Sequence, residues 1–423
     1  PRGETRFNKD KAAEYITYAN PLGEPLNTKA IERALIILNE TPGVMVSSQL
    51  EPGQKDGETA LRLQLTQPKQ WYQGRAEANN YGSRSTGANQ GVIALTAINP
   101  TGIGDSASVN AIYSEGSQYV QGAYSMPASP NGLRLGASGT FLNYKNVSNY
   151  VSPNGGYGDA WTGGVSAAYP LIRRQGTNVN ATFNYDVKSY SNKNMLTLAT
   201  ISAYTINNAT IGLSGNHYDS FGGGGISAGS VSVVSGYLDI SPTSVQGFGA
   251  YTPSNFTKLT FSGNRNQQIA ADGSTTAFVS VNGQFASANL NSAEQIYMGG
   301  PYGVRAYPVA QGGGSQGGVA TAELRHQFPQ RVLASVFFDA GMVQQYKSST
   351  NYEQLKGLTN ASNTYTLMGA GFGVKWDWQG WNLGAMVAWK VGSNPLYSFN
   401  GQAVNTDGTN TNPRGWVTAS YQF

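Results

Sequence analysis

From Trp71 to the last residue, apolar and polar side chains alternate along the chain. In the segment WNLGAMVAWKV, one face collects Trp381, Leu383, Ala385, Val387, Trp389 and Val391. The segments VATAELRHQF (319–328) and VTASYQF (417–423) alternate in the same way, with mostly Ser, Thr and Gln between the apolar residues. Such alternation over ~10 residues, with aromatic residues near the ends, is typical of the strands of a membrane β-barrel.

Sixteen segments of this kind can be counted, starting near residues 71, 89, 106, 117, 133, 159, 177, 198, 225, 256, 276, 317, 332, 365, 381 and 415. The run 190–225 is the least regular. An even number of antiparallel strands closes into a barrel with both chain ends on the same side. The pattern therefore predicts a membrane all-β fold, a 16-stranded antiparallel transmembrane barrel over residues 71–423. Segment 286–316 then becomes an extracellular loop, and its length is one that often accompanies function.

Residues 1–70 follow a different pattern, with dense charges and a helical period. Asn27 can cap a helix that ends at Pro42-Gly43, and one face of this helix carries Ile31, Ala34, Leu35 and Leu38. The segments VMVSSQL and TALRLQLTQ then alternate as strands, with the turn-rich EPGQKDGE between them. These features predict a small α/β module in residues 1–70, placed on the periplasmic side of the barrel.

Composition supports a barrel over a soluble fold. Charged residues make up 12% of the chain, about half of the usual share, and glycine and tyrosine contribute 54 and 25 residues. The strands of a soluble β-sandwich also alternate between apolar and polar residues, but the solvent-exposed face would carry more Lys, Asp and Glu than this chain has. No stretch approaches the ~18 consecutive apolar residues of a membrane helix. The net charge of +4 is too small to indicate a nucleic-acid partner.

The long loop contains one arginine in an unusual setting, GGPYGVRAYP (299–308). In an extracellular loop, Tyr302, Val304 and Tyr307 would expose an apolar cluster to water, which is unfavourable. The cluster therefore favours a loop folded into the lumen. A confined Arg305 then needs a carboxylate, because an unpaired buried charge is costly. Two carboxylates are expected on the inner wall, first Asp339 in VFFDAG and second Glu323. We call the predicted pairing of Arg305 with these two groups the latch.

At these residues the sequence resembles the two-partner secretion outer-membrane transporters of the TpsB type, in the Omp85 superfamily. GVRAY is similar to the family's loop motif VRGY or VRGF, with Ala306 where glycine is common. FFDAG (337–341) fits the strand motif F-x-D-x-G, whose aspartate pairs with the loop arginine. Residues 22–65 resemble a second POTRA domain, and the chain ends in an aromatic residue, Phe423.

The resemblance implies a role for each set of residues. The latch motif comprises Val304, Arg305, Ala306 and Tyr307, and its partners on the barrel wall comprise Phe337, Asp339, Gly341 and Glu323. The POTRA-like module is expected to bind the secreted partner near Glu32, Asn39, Pro42 and Gly43. The barrel-assembly machinery is expected to recognise the aromatic end formed by Tyr421 and Phe423. The family's plug helix and first POTRA domain have no counterpart before residue 1, so we expect a trimmed or mature form.

The implied function is export of a large unfolded exoprotein, such as a haemolysin, adhesin or contact-dependent toxin, across the bacterial outer membrane without ATP. Alternatives are an insertase of the same superfamily, a passive porin and an outer-membrane enzyme. An enzyme would need a nucleophile with a base, and neither His217 nor His326 has a matching pattern. Expected partners are the exoprotein, outer-membrane lipid and the assembly machinery. We expect a monomer without cofactor, metal or nucleic acid.

One further motif, GAGFG (369–373), resembles a dinucleotide-binding loop. It lies inside an alternating strand and no helix follows it, so the dinucleotide interpretation is rejected. Its glycines are instead expected to relieve crowding on the lumen wall.

Overall fold

The computed structural model describes residues 6–66, 70–148, 156–348, 362–396, 403 and 405–423. Residues 1–5 and 67–69 of the predicted N-terminal module therefore lie outside the described residues. No helix in the described ranges is both long enough and apolar enough to cross a bilayer, and this finding has no bearing on β-barrels.

The described part of the N-terminal module contains two helices and a hairpin: α1 Lys9–Ala19, α2 Thr28–Glu40, β1 Met45–Pro52 and β2 Thr59–Thr66. Asn27 caps α2 by accepting a hydrogen bond from the backbone of Ala30 at 3.1 Å. The buried face of α2 consists of Ile31, Ala34, Ile37 and Leu38, so Ile37 takes the place predicted for Leu35. Leu35 is half-buried and lines a groove described below.

Helix α1 was not predicted from the sequence. Asn8 caps this helix by accepting hydrogen bonds from the backbone of Asp10 and Lys11. The buried side chains of α1 are Ala12, Tyr15 and Ile16, too few to give a clear helical period among so many charges. The helix therefore depends on packing in the module's core, as most short helices do. Burial raises the pKa of the Tyr15 hydroxyl above its ordinary value.

Within the described residues, sixteen strands close into an antiparallel barrel, which confirms the predicted fold and strand number. They are β3 Tyr72–Asn79, β4 Gln90–Ile98, β5 Ser106–Ser114, β6 Ser117–Pro127, β7 Arg134–Lys145, β8 Gly156–Arg174, β9 Thr177–Asn194, β10 Thr200–Asp219, β11 Gly225–Ile240, β12 Asn255–Gln268, β13 Thr275–Ala286, β16 Gln316–Phe328, β17 Val332–Gln344, β18 Thr364–Trp378, β19 Trp381–Lys390 and β20 Arg414–Gln422. The irregular run 190–225 spans the end of β9, all of β10 and a 3-10 turn at Phe221–Gly223.

Alternation sorts the strand side chains between the two faces of the barrel wall. On β17, Val336 and Phe338 point outward with more than two fifths of their surface exposed, while Phe337 and Asp339 point inward and are buried. The exposed apolar residues on the outer face form the band that contacts lipid. The barrel closes where β20 meets β3, over the residue pairs from Thr418 with Asn79 to Gln422 with Arg75.

Between β13 and β16 the chain folds back onto the inner wall; we call residues 287–315 the long loop. It contains a 3-10 turn at Ser292–Glu294 and a two-residue pairing of β14 Ile296–Tyr297 with β15 Gly313–Gly314. Its side chains form a buried cluster with inward-facing side chains of β16 to β19 and with Leu396: Met298, Val304, Ala306, Tyr307, Val319, Phe337, Val343, Tyr365, Leu367, Ala388 and Leu396. The lumen of the barrel is therefore partly filled by a packed segment.

The N-terminal module packs against the end of the barrel where the chain enters. Arg173 on β8 forms an ion pair with Glu40 at 2.7 Å, and Arg33 donates hydrogen bonds to the backbone carbonyls of Pro170 and Leu171. Phe7 is buried near Gly104, in the turn between β4 and β5. These contacts hold the module at the mouth of the lumen.

Candidate functional site: the latch inside the barrel

The structure brings Arg305 and Asp339 together in a bidentate pair. The guanidinium donates Nη2–H to Asp339 Oδ1 at 2.7 Å and Nε–H to Oδ2 at 2.9 Å. The backbone N–H of Arg305 also donates to Oδ2, at 3.1 Å. The side chain of Asp339 is fully buried, and that of Arg305 is 7% exposed. Two parallel hydrogen bonds join two planar groups, so the pair fixes the orientation of the Arg305 side chain and also strengthens the interaction.

Glu323 contacts the other side of the same guanidinium. Arg305 Nη1 lies 2.6 Å from Glu323 Oε1, while Arg325 Nη2 lies 2.6 Å from Glu323 Oε2. Two cations therefore balance two carboxylates. Thr321 donates a further hydrogen bond to Asp339 at 2.9 Å, and the Arg305 guanidinium lies 3.3 Å above the ring of Phe337. A buried charge cluster that is balanced and hydrogen-bonded avoids the cost of desolvated, unpaired ions.

Glycines on the barrel wall make room for the tip of the loop. A Cβ atom added at Gly369 would lie 2.6 Å from the Cβ of Ala306, and one added at Gly341 would lie 3.1 Å from Val304. Ala306 is fully packed at a position where glycine is common in the resembling motif, and Gly369 opposite supplies the missing space. The GAGFG segment lies within β18, where Gly369 makes room for the loop tip and Gly371 and Gly373 make room for neighbouring residues of the wall.

Trp416 is a latch contact that the sequence analysis missed. Its indole N–H donates to the backbone carbonyl of Arg305 at 2.8 Å, and its side chain is buried on the inner face of β20. The ring of Tyr81 packs edge-on against both Trp416 and the loop residue Tyr302. A bulky aromatic residue on an otherwise small and polar inner face was the sequence signal for this contact. Through it, the loop tip reaches the strand that closes the barrel.

A family comparison bears on this architecture. The family model described as haemolysin secretion/activation protein ShlB/FhaC/HecB matches residues 57–376, which is most of the chain.

The chain belongs to this family.

Membership confirms the predicted family and the location in the outer membrane. Among curated relatives, the heme/hemopexin transporter protein HuxB of Haemophilus influenzae is 25% identical over 355 residues, which cover 81% of this chain and 60% of the relative. A HuxB of strain 86-028NP is 24% identical over 358 residues. The chain thus spans about 60% of the length of these relatives.

Solved structures share the fold. CdiB from Escherichia coli superposes with a TM-score of 0.76 at 18% identity, covering 97% of this chain and 74% of that protein. CdiB from Acinetobacter baumannii gives 0.74 at 14% identity, covering 100% of this chain and 72% of that one. BamA from Haemophilus ducreyi lacking POTRA domains 1-3 gives 0.61 at 14% identity, covering 99% of this chain and 82% of that one.

The four residues expected to bind a partner lie around α2 in three settings. Asn39 joins α2 to β1, since its side chain accepts from the backbone N–H of Val46 at 2.7 Å and donates to the carbonyl of Val46 at 3.1 Å. Pro42 and Gly43 form the turn after α2, where Gly43 has a positive φ of 76° and packs on Asn99. Glu32 is exposed and lines a groove with Leu26, Ile31, Leu35, Leu50 and Leu61.

The aromatic end of the chain lies on the seam between β20 and β3. The backbone of Phe423 exchanges hydrogen bonds with Gly74 at 2.9 and 3.0 Å. Its ring stacks on Tyr421, which in turn packs against Trp381. Phe423 and Tyr421 both remain more than a third exposed on the outer face.

The two histidines have simple local contacts. The Nδ1 atom of His217 lies 2.8 Å from the hydroxyl of Thr177, and the Nδ1 atom of His326 lies 2.9 Å from that of Thr275. His326 also packs edge-on against Phe328 at the end of β16. Within the part of the chain that the structure describes, no three metal-ligating side chains cluster together.

Proposed function

We propose that this protein is the outer-membrane transporter of a two-partner secretion system, which captures an unfolded exoprotein in the periplasm and passes it through the barrel without ATP. The observation that carries this proposal is the combination of a buried arginine latch inside the barrel with a docked module at its mouth. A passive pore needs neither feature. Membership of a haemolysin secretion/activation family supports the same function.

We assign residues 1–70 as a POTRA domain that docks the exoprotein by strand addition. Within the described residues β1 pairs with β2 alone, so its other edge can accept a strand. Asn39 occupies that edge at Val46, with hydrogen bonds like those of a neighbouring strand. Backbone groups two and four residues further, at Ser48 and Leu50, point the same way because strand residues alternate. The groove beside them can hold apolar side chains of the incoming strand.

The lumen offers a wet and weakly interacting surface to the chain in transit. Strands β5 to β8 point small polar residues inward, among them Asn110, Gln121, Thr140 and Thr162. Such side chains can hydrogen-bond an extended backbone without burying apolar surface against it. Folding of the exoprotein outside then supplies the direction, since a folded domain cannot slide back. The latch supports the shape of this path rather than blocking it.

An insertase of the same superfamily is the second candidate. The observation in its favour is the seam between β20 and β3, which is formed by five residue pairs whereas β4 and β5 share nine. A short seam could open sideways toward lipid. Two features oppose sideways opening of the seam. Asn80 extends the seam by bonding Gly415 and Val417, and Trp416 ties β20 to the loop. For the transporter, we propose a monomer with the exoprotein, outer-membrane lipid and the barrel-assembly machinery as partners, and no enzymatic activity.

A co-expression experiment separates the two candidates. Cells that make this chain together with a candidate exoprotein, sought in the neighbouring reading frame, are expected to accumulate that exoprotein in the medium. Cells that lack the chain should retain it in the periplasm, where it is degraded. Levels of other outer-membrane barrels should be the same in both. If cells that lack the chain instead lose other outer-membrane barrels, while the amount of exoprotein in the medium is unchanged, the insertase would be favoured.

A further inference from the structure

A second buried ionic site holds the base of the long loop, on other strands than those of the latch. Glu294, in the 3-10 turn near the start of the loop, has a side chain that is 2% exposed. Its carboxylate pairs with Lys188 of β9 and Lys258 of β12, each at 2.8 Å. Asn208 of β10 donates to the same carboxylate at 2.9 Å. Three strands of the barrel wall therefore converge on one loop side chain.

The backbone around Glu294 is held as firmly as its side chain. Its carbonyl accepts from Lys258 Nζ at 2.9 Å and from Gln284 Nε2 at 3.0 Å. Gln284 also donates to the carbonyl of Ser315, and the hydroxyl of Ser315 accepts from the N–H of Leu290. Both ends of the long loop are thus joined to each other and to β13. With this many donors, the buried carboxylate of Glu294 has its hydrogen-bonding capacity satisfied.

We propose that Glu294 is a positioning residue for export, an anchor that keeps the base of the long loop fixed to the wall of β9 to β13 while the exoprotein passes. The proposal rests on the proposed function. Its basis is the opposite polarity of the two sites. At the latch a loop cation meets wall carboxylates of β16 and β17, whereas at Glu294 a loop anion meets wall lysines of β9 and β12.

Opposite polarity fixes the orientation of the loop as well as its attachment. Arg305 at the lysine site, or Glu294 at the carboxylate site, would bring like charges together, so a reversed placement is rejected. The loop is therefore held in one orientation along the wall, at its base by lysines of β9 and β12 and at its tip by carboxylates of β16 and β17. The exoprotein must pass beside it, along the inner faces of β3 to β8, which provide none of these ionic contacts in the described residues.

Replacing Glu294 with glutamine should lower export about tenfold, because it leaves two partly buried lysines without their counter-charge. Glu115→Gln, in an exposed turn between β5 and β6, is the matched control and should export normally. Exchanging the charges in Glu294→Lys with Lys258→Glu should recover part of the loss. Equal export by Glu294→Gln and the unaltered chain would overturn the anchor.

A covalent tether tests whether the base stays in place during transport. The chain has no cysteine, so the pair Glu294→Cys with Lys258→Cys can be bridged selectively by a short dithiol-reactive cross-linker. The unbridged pair should export poorly, and bridging should restore export because it replaces the ion pair with a bond. Export that falls further on bridging would show that the base must move, and would overturn the proposal. The unaltered chain in the same assay reports on the proposed function independently.

Discussion

Export is expected to fall by at least about tenfold when Arg305 is replaced with alanine, while the barrel still assembles in the outer membrane. The change leaves Asp339 and Glu323 buried on the wall with only Arg325 to balance them. Breaking one side of a buried ion pair typically costs about 3–5 kcal/mol, which is enough to release the loop tip. The barrel itself depends on its sixteen paired strands, so its assembly should survive. Secreted exoprotein in the medium and heat-modifiable migration of the barrel on gels measure the two effects.

A matched control uses another arginine of the same barrel. Arg265 pairs with Asp219 near the turn after β10, away from the loop, and both side chains are a quarter or more exposed. Arg265→Ala removes a comparable fork at little cost, because exposed ion pairs contribute ~0–1 kcal/mol. It should export normally. If Arg305→Ala also exported normally, the latch would have no role in transport.

Asp339→Ala should reproduce the loss seen with Arg305→Ala. The double variant should export about as poorly as either single variant, since both changes remove the same contact. Additive losses would instead indicate separate roles for the two residues. Glu323→Ala is expected to have a smaller effect, because Asp339 retains the bidentate fork and the backbone contact.

Removal of residues 1–70 should stop export and spare insertion into the membrane. The barrel strands begin at Tyr72 and close without the module, whose side-chain contacts with the barrel include the Arg173–Glu40 pair and the hydrogen bonds of Arg33. Loss of the docking edge would leave the exoprotein without a receptor. The readout is exoprotein in the medium together with the amount of folded barrel. Continued export by the truncated chain would remove the docking role.

A finer variant addresses the edge of β1. Ser48→Pro removes a backbone N–H that points to the free edge, while the N–H groups of its neighbours Ser47 and Gln49 remain available for pairing with β2. It should weaken binding of the exoprotein to the purified protein, while Ser48→Ala, which keeps the N–H, should bind normally. Equal binding by the two variants would place the docking strand elsewhere.

Much of this architecture follows from the sequence because the bilayer imposes a simple alternation. Every barrel strand begins within three residues of its predicted start, since lipid on one face and water on the other leave little freedom. The pairing of Arg305 with acidic wall residues could also be predicted, because a confined guanidinium requires a carboxylate. The same alternation that placed Asp339 on the inner face identified it as a partner.

Other features depend on contacts between distant parts of the chain. Glu294 lies 106 positions from Lys188 and 36 from Lys258, and nothing local marks these three as partners. Trp416 contacts a backbone carbonyl 111 positions away, so its bulk on the inner face could mark it as unusual but could not identify its partner. Helix α1 escaped prediction because its few buried residues sit among charges, and the packing that stabilises it comes from the rest of the module.

The most direct test of the account is transport into liposomes that contain the purified protein and no nucleotide. Unfolded exoprotein added on the side of the N-terminal module should become protected from protease, and Arg305→Ala should lose most of this protection. Complete digestion of the exoprotein with the unaltered protein, in vesicles where the barrel is folded, would contradict transport through this lumen.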